Sequence, residues 1–161
     1  MADDIKLTGS STRSGRILRR VCVLGAVSIL FGALAGCNTN PADRSAVIGL
    51  INQSRASAGL PGLADNPQLD VKADGWAQHL LDICDLEHSR LQDGAPADWR
   101  KLGENVGYGG SIDQVHTAYM NSEGHRANIL DPSYNQVGAA AVWGDCNGSH
   151  RVFTVQVFMK S

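Results

Sequence analysis

Three short stretches of this chain carry side chains able to do chemistry. They are Glu87-His88-Ser89, Gly103-Glu104-Asn105 and Asn121-Ser122-Glu123-Gly124-His125-Arg126-Ala127-Asn128. His88, Glu104 and His125 stand 16 and 21 residues apart. That is not a zinc-finger spacing, and no HExxH pair is present. Two imidazoles and a carboxylate suit a divalent transition metal such as zinc with open positions, and without metal they form a hydrogen-bonding platform. Glu104 is the candidate catalytic residue, the base beside an activated water, if the site hydrolyses anything. Ser122 and Glu123, in the same stretch as His125, join the candidate cleft. Gly124 is read as freeing the backbone so that the His125 imidazole can be aimed inward. Arg126 and Asn128 read as structural, satisfying carbonyls of neighbouring segments. Spacing alone leaves open whether the three segments converge, since each also has a plain structural reading. A Ser or Cys nucleophile has little support, because no G-x-S-x-G elbow is present.

The elements that would position these residues can be read from periodicity. A helix is expected from Asp43 or Ser45 to Ala58, with Val47, Ile48 and Ile51 on its apolar stripe, ended by Gly59 to Gly62. Asn66-Pro67 is a start signal, and Leu69, Ala73, Trp76, Ala77, Leu80 and Cys84 then recur on one helical face. Residues 85–110 lack a period. Residues 89–98 read as loop, and Trp99, Leu102, Val106 and Tyr108 are expected to dip into the core. Ser111 caps a helix with Ile112, Val115 and Tyr119 inward, leaving His116 on its surface; His79 reads as packing or solvent-facing. Val137 to Trp143 reads as a buried strand. Asn147-Gly148 is a hairpin turn signal, and Arg151 to Met159 alternates with Phe153, Val155, Val157 and Met159 on one face. Helices followed by a small antiparallel sheet give an α+β class.

The N-terminus reads as a leader. Arg13, Arg16, Arg19 and Arg20 precede the uncharged run 21–36, a basic region followed by an apolar stretch too short for a membrane span of roughly 20 residues. The run closes on Leu34-Ala35-Gly36-Cys37, which resembles the bacterial lipobox and implies acylation of Cys37 and cleavage before it. An uncleaved anchor helix is the alternative. Residues 1–36 are thus a signal peptide, 37–44 a tether and 45–161 the domain, exported and lipid-anchored to a cell or outer membrane. Cleavage leaves 9 basic and 14 acidic side chains, a net charge of −5 with no basic run. Nucleic acid, which wants a clustered cationic face, is therefore a poor partner. Cys84 and Cys146 remain in an oxidising compartment, where a disulfide is expected; two buried free thiols are the alternative.

Taken in order, LINQSR (50–55), HS (88–89), GENV (103–106) and NSEGHRANIL (121–130) resemble bacterial members of the CAP superfamily, the SCP-domain family of cysteine-rich secretory, antigen five and pathogenesis-related proteins. The resemblance covers residues 45–159. It implies a three-layer α-β-α sandwich whose open cleft is lined by two His and two acidic residues and can hold zinc or another divalent cation. His88, Glu104 and His125 match three of these positions. The fourth is Ser122 here, so a carboxylate is missing, and Tyr119 stands where Trp is common. The resemblance implies a module binding a lipid, small ligand or cell-envelope component, with a metal-assisted hydrolase of peptide or envelope material as the other reading. The lipobox generates the first test: Cys37→Ser leaves an unprocessed precursor or releases the protein from membranes. An unlipidated wild-type N-terminus in mass spectrometry would end the anchor reading.

Overall fold

Two Asn-Pro pairs set helix starts, because an Asn side chain caps a helix and proline fits its first turn without losing a hydrogen bond. The computed structural model describes residues 39–161; the leader and Cys37 lie outside the described residues. Asn40 accepts from Ala42 N–H at 2.9 Å and begins α1, Pro41–Ser57. Asn66 accepts from Gln68 and Leu69 N–H and begins α2, Pro67–Ile83. The first helix therefore starts ahead of Asp43, and the stretch expected to be tether is folded from Thr39 onward. Tertiary ties explain this. Thr39 is buried, donating N–H to Asp74 at 2.7 Å and accepting from Ala141 N–H at 3.1 Å. Arg44 donates to the Ala139 carbonyl at 3.0 Å and lies 3.5 Å from Asp70, which itself accepts from Ala139 N–H. Burial is what pushes the Asp70 carboxyl up to about 6, against the opposing pull of Ala139 N–H and Arg44.

The remaining elements are β1 (Ala64–Asp65), β2 (Lys101–Gly109), α3 (Ile112–Asn121), α4 (Glu123–Ile129), β3 (Gln136–Cys146) and β4 (Ser149–Lys160). The strands form one sheet in the order β1-β3-β4-β2. It is mixed rather than antiparallel throughout, because the two-residue β1 pairs parallel to β3. Helix α2 covers one face; α1, α3 and α4 cover the other. β4, covered on both faces, is buried from Val152 to Met159. Its odd residues Phe153, Val155, Val157 and Met159 pack towards α2, and Val152 and Phe158 pack towards α1, α3 and α4. Cys84, in the left-handed conformation that ends α2, bonds Cys146 near the end of β3. The closed loop, with a sequence separation of 62, contributes about 4 kcal/mol in the chain-entropy picture. Asn147 and Gly148, at φ 51° and 76°, make the hairpin turn.

Three readings of the sequence change. β2 lies where no period is visible, because glycine replaces side chains on its α3/α4 face. A Cβ on Gly103 would stand 2.5 Å from the Tyr134 hydroxyl, and one on Gly107 2.9 Å from the Tyr119 ring. Trp99 and Tyr108, expected inside, are 42% and 43% exposed. The stretch from Glu123 is helix α4, and Gly124 takes no left-handed conformation there. Helical geometry and tertiary ties aim His125, not glycine freedom. A pair of substitutions checks these contacts by urea denaturation. Gly138→Ala drives a Cβ to 2.3 Å from the Leu69 carbonyl carbon, and overpacking of this kind costs about 1–3 kcal/mol. Gly124→Ala meets nothing within 4 Å and is neutral or stabilising by up to about 1 kcal/mol. Equal stability of the two variants would contradict the packing described.

Candidate functional site

β2 is an edge strand, and successive side chains leave it on opposite faces. Glu104 is in phase with Val106 and points to the α2 side; Asn105 points to the α3/α4 side. The Glu104 side chain is 1% exposed, a cost that only a full set of donors offsets. One oxygen accepts from Ser89 N–H and from His88 Nδ1–H, each at 2.9 Å; the other accepts from the Ser89 hydroxyl at 2.6 Å. Lys72 donates to that hydroxyl at 2.9 Å. Burial lowers the proton affinity of Lys72, and the Glu104 charge partly restores it. The carboxylate is thus compensated by a cation through Ser89.

His88 spends Nδ1 on Glu104 and keeps a side chain 60% exposed. Its Nε2 is left free, the arrangement that orients metal-binding imidazoles. His125 is half-buried in α4, its ring centroid 5.0 Å from that of Tyr119. Burial, and after it the neighbouring His88, hold the His125 imidazole below its ordinary pKa. The two rings are near enough at the edge of β2 for the charge of one to act on the other. Asn105 places the helix there: wholly buried, it donates to the His125 carbonyl at 3.1 Å and to Gln156 Oε1 at 3.0 Å, and accepts from Asn128 at 2.9 Å. Asn128 also donates to the Glu104 carbonyl, and Arg126 to the Met120 carbonyl, the structural roles expected of them. Ser122 begins α4 without a side-chain capping bond, and Glu123 is exposed in its first turn.

His88 and Glu104 meet in a direct hydrogen bond, while His125 lines a cavity with Tyr119, and the three are not ligands around one point. Among the described residues no group of three or more His, Cys, Asp and Glu side chains is placed to hold a metal ion. Glu104 faces Ser89 and His88, which engage both of its oxygens. Periodicity did not single out the apolar wall beside them. A cavity of about 320 Å³ is lined by Leu86, Val106, Tyr108, Val115, Tyr119 and His125. A second, of about 570 Å³, shares Tyr108, Val115 and Ala118 with it and reaches His150 and Arg151. Leu86 and Ala118 carried no signal, being apolar residues at exposed positions.

The family model described as CAP, the cysteine-rich secretory protein family, matches residues 48–158. The chain is 33% identical over 105 residues to the uncharacterized protein YkwD of Bacillus subtilis (strain 168), covering 60% of this chain and 41% of that protein. Among solved structures, an outer surface protein from Borrelia burgdorferi superposes with a TM-score of 0.65 at 18% identity, over 74% of this chain and 93% of that one. An extracellular SCP-domain protein from Bacillus anthracis str. Ames does so with a TM-score of 0.61 at 26% identity, over 74% of this chain and 41% of that one. The Borrelia protein shows the fold; this chain spans about two fifths of YkwD and of the anthracis protein.

His125 supplies the test of this geometry. Its folded pKa lies below that of the unfolded chain, so stability is lost as pH falls through the unfolded value of ~6.5. NMR titration shows His125 ionising below that value. His88→Ala moves it part of the way back, since burial is the larger cause. A His125 indifferent to His88→Ala would separate the two rings.

Proposed function

The chain belongs to the CAP family of cysteine-rich secretory proteins, and on that premise we propose that it is an extracytoplasmic, lipid-anchored binding module for a small amphiphilic component of lipid or cell envelope. The carrying observation is the apolar cavity of about 320 Å³ with His125 in its wall, set beside the His88–Glu104 pair. An apolar body would fill the Leu86–Tyr108–Val115 side, and a polar head would meet the imidazoles. Relatives at this fold include an outer surface and an extracellular protein, which supports export. Lipid anchoring through Cys37 rests on the lipobox.

His88 and His125 would hold a divalent cation such as zinc, with Glu104 fixing the His88 ring. A bound cation supplies Lewis acidity to whatever polar group lies beside it. Glu104 is a poor general base in this arrangement, because both its oxygens are engaged by Ser89 and His88. That favours binding over metal-assisted hydrolysis.

A fluorescent single-chain amphiphile should bind the protein saturably. Ala118 is exposed and borders both cavities, so Ala118→Trp fills the space without disturbing the core. It weakens binding by about tenfold or more, roughly 1.4 kcal/mol. Binding unchanged by Ala118→Trp would place the ligand elsewhere, and chelator-sensitive turnover of peptide or envelope substrate would favour the hydrolase.

A further inference from the structure

Arg44, Arg55 and Arg126 are spent on the fold, each donating to backbone carbonyls that the chain would otherwise leave open. Arg151 differs from them. Its guanidinium lies 4.7 Å over the Tyr108 ring, and among the described residues it makes no ion pair and no side-chain hydrogen bond. The two side chains leave the same face of the sheet, because Tyr108 is in register with Phe153 and Arg151 stands two positions before it. A guanidinium held by a ring face keeps its N–H donors for another acceptor.

Tyr108 and Arg151 line the cavity of about 570 Å³ where β2 ends. Among the described residues, none of the side chains lining it is a carboxylate. His150, also in its wall, is bonded to Asp145 at 2.9 Å, so the uncompensated charge at this cavity is the Arg151 cation. Gln114 accepts from Gly110 N–H through Oε1 at 2.8 Å, which leaves its amide nitrogen as a further donor in the same wall. A cationic fork in a concave site without an acid suits a carboxylate or phosphate, which it holds through two parallel hydrogen bonds.

This cavity continues into the apolar one. Tyr108, Val115 and Ala118 line both. Val115 and Ala118 are three residues apart on α3 and so adjacent on one helical face, an apolar path from one cavity to the other. We propose that Arg151 binds the anionic terminus, carboxylate or phosphate, of the amphiphile whose apolar body fills the smaller cavity. The ligand is then a single apolar chain with polar groups at both ends, one met by the imidazoles and the other by Arg151. This rests on the reading of the smaller cavity as an amphiphile site.

Dansyl-labelled probes of one chain length, added to the purified full chain below their micellar concentrations, test it. They are a carboxylate, a phosphate monoester and the methyl ester of the carboxylate. At about pH 8.5 the imidazoles are neutral, so a preference for an anion reports the arginine. At least one anionic probe should bind about tenfold or more tighter than the ester. The tighter of the two names the source, a fatty-acid or a phospholipid head. Arg151→Gln should bring the anion-to-ester ratio to within about twofold of one, and Arg151→Lys, which keeps the charge without the fork, should retain part of it. Equal binding of ester and anions by the unsubstituted protein overturns the proposal and leaves the amphiphile site standing. An anion preference that survives Arg151→Gln also overturns it. Binding of no probe removes the amphiphile reading itself, and the proposal with it. Should Arg151→Gln fold poorly, NMR of arginine side chains in the unsubstituted protein decides. The Arg151 Nε–H signal should shift with an anionic probe and not with the ester, and a signal that stays in place overturns the proposal.

Discussion

The site depends on one buried amide. Asn105 occupies a sheet position that apolar residues would fill by default, yet it is wholly buried and its carboxamide reaches Gln156, Asn128 and the His125 carbonyl. An unpaired amide there would cost about 1–3 kcal/mol, so the network constrains all its members together. Helix α4 has seven residues and no side-chain cap at its start, too short to hold itself in water. It is fastened from outside. Asn105 grips it at His125, and the wholly buried Arg55 of α1 donates to the Ile129 carbonyl at its far end and to the Asp131 carbonyl beyond. A cation at a helix C-terminus also meets the favourable end of the helix dipole. The position of the His125 imidazole is thus a consequence of polar ties made by β2 and α1.

The sheet that carries these ties is closed at both edges by side chains. Unpaired edges invite association. At β2, Asn128 takes the Glu104 carbonyl, while the segment from Leu86 to Ser89 stands alongside. At β3, beyond the short β1, Asp70, Arg44 and Thr39 take the backbone groups of Ala139 and Ala141. The cleft therefore forms at the β2 edge, where two layers of helix approach without meeting. Gly103 and Gly107 set that approach, since a methyl group at either would strike Tyr134 or Tyr119.

What could be read in the sequence follows from this architecture. Helix α2 was legible because its stripe is continuous and Asn66-Pro67 announces it; the hairpin was legible because both turn residues take positive φ. The α-β-α layering came from the family motifs. β2 was hidden because the glycines that admit α3 and α4 erase alternation. His116, read as surface, is 9% exposed and bonded to Ser54 at 2.8 Å. It stands four residues after Ile112 and three before Tyr119, on the same helical face, so periodicity contained the answer and polarity concealed it. The family resemblance grouped His88, Glu104 and His125 but could not show which way the carboxylate turns. That depends on Ser89 and Lys72, whose roles exist only once α2 and β2 are side by side.

The proposed function turns on His88 and His125 facing one site with Glu104 behind His88. Zinc titration of the wild-type domain at neutral pH, followed by imidazole NMR, tests it most directly. The ring signals of His88 and His125 should shift together and saturate at one equivalent, while those of His79, His116 and His150 stay in place. Zinc moving only one of the two rings, or moving His79 or His150 first, would contradict it.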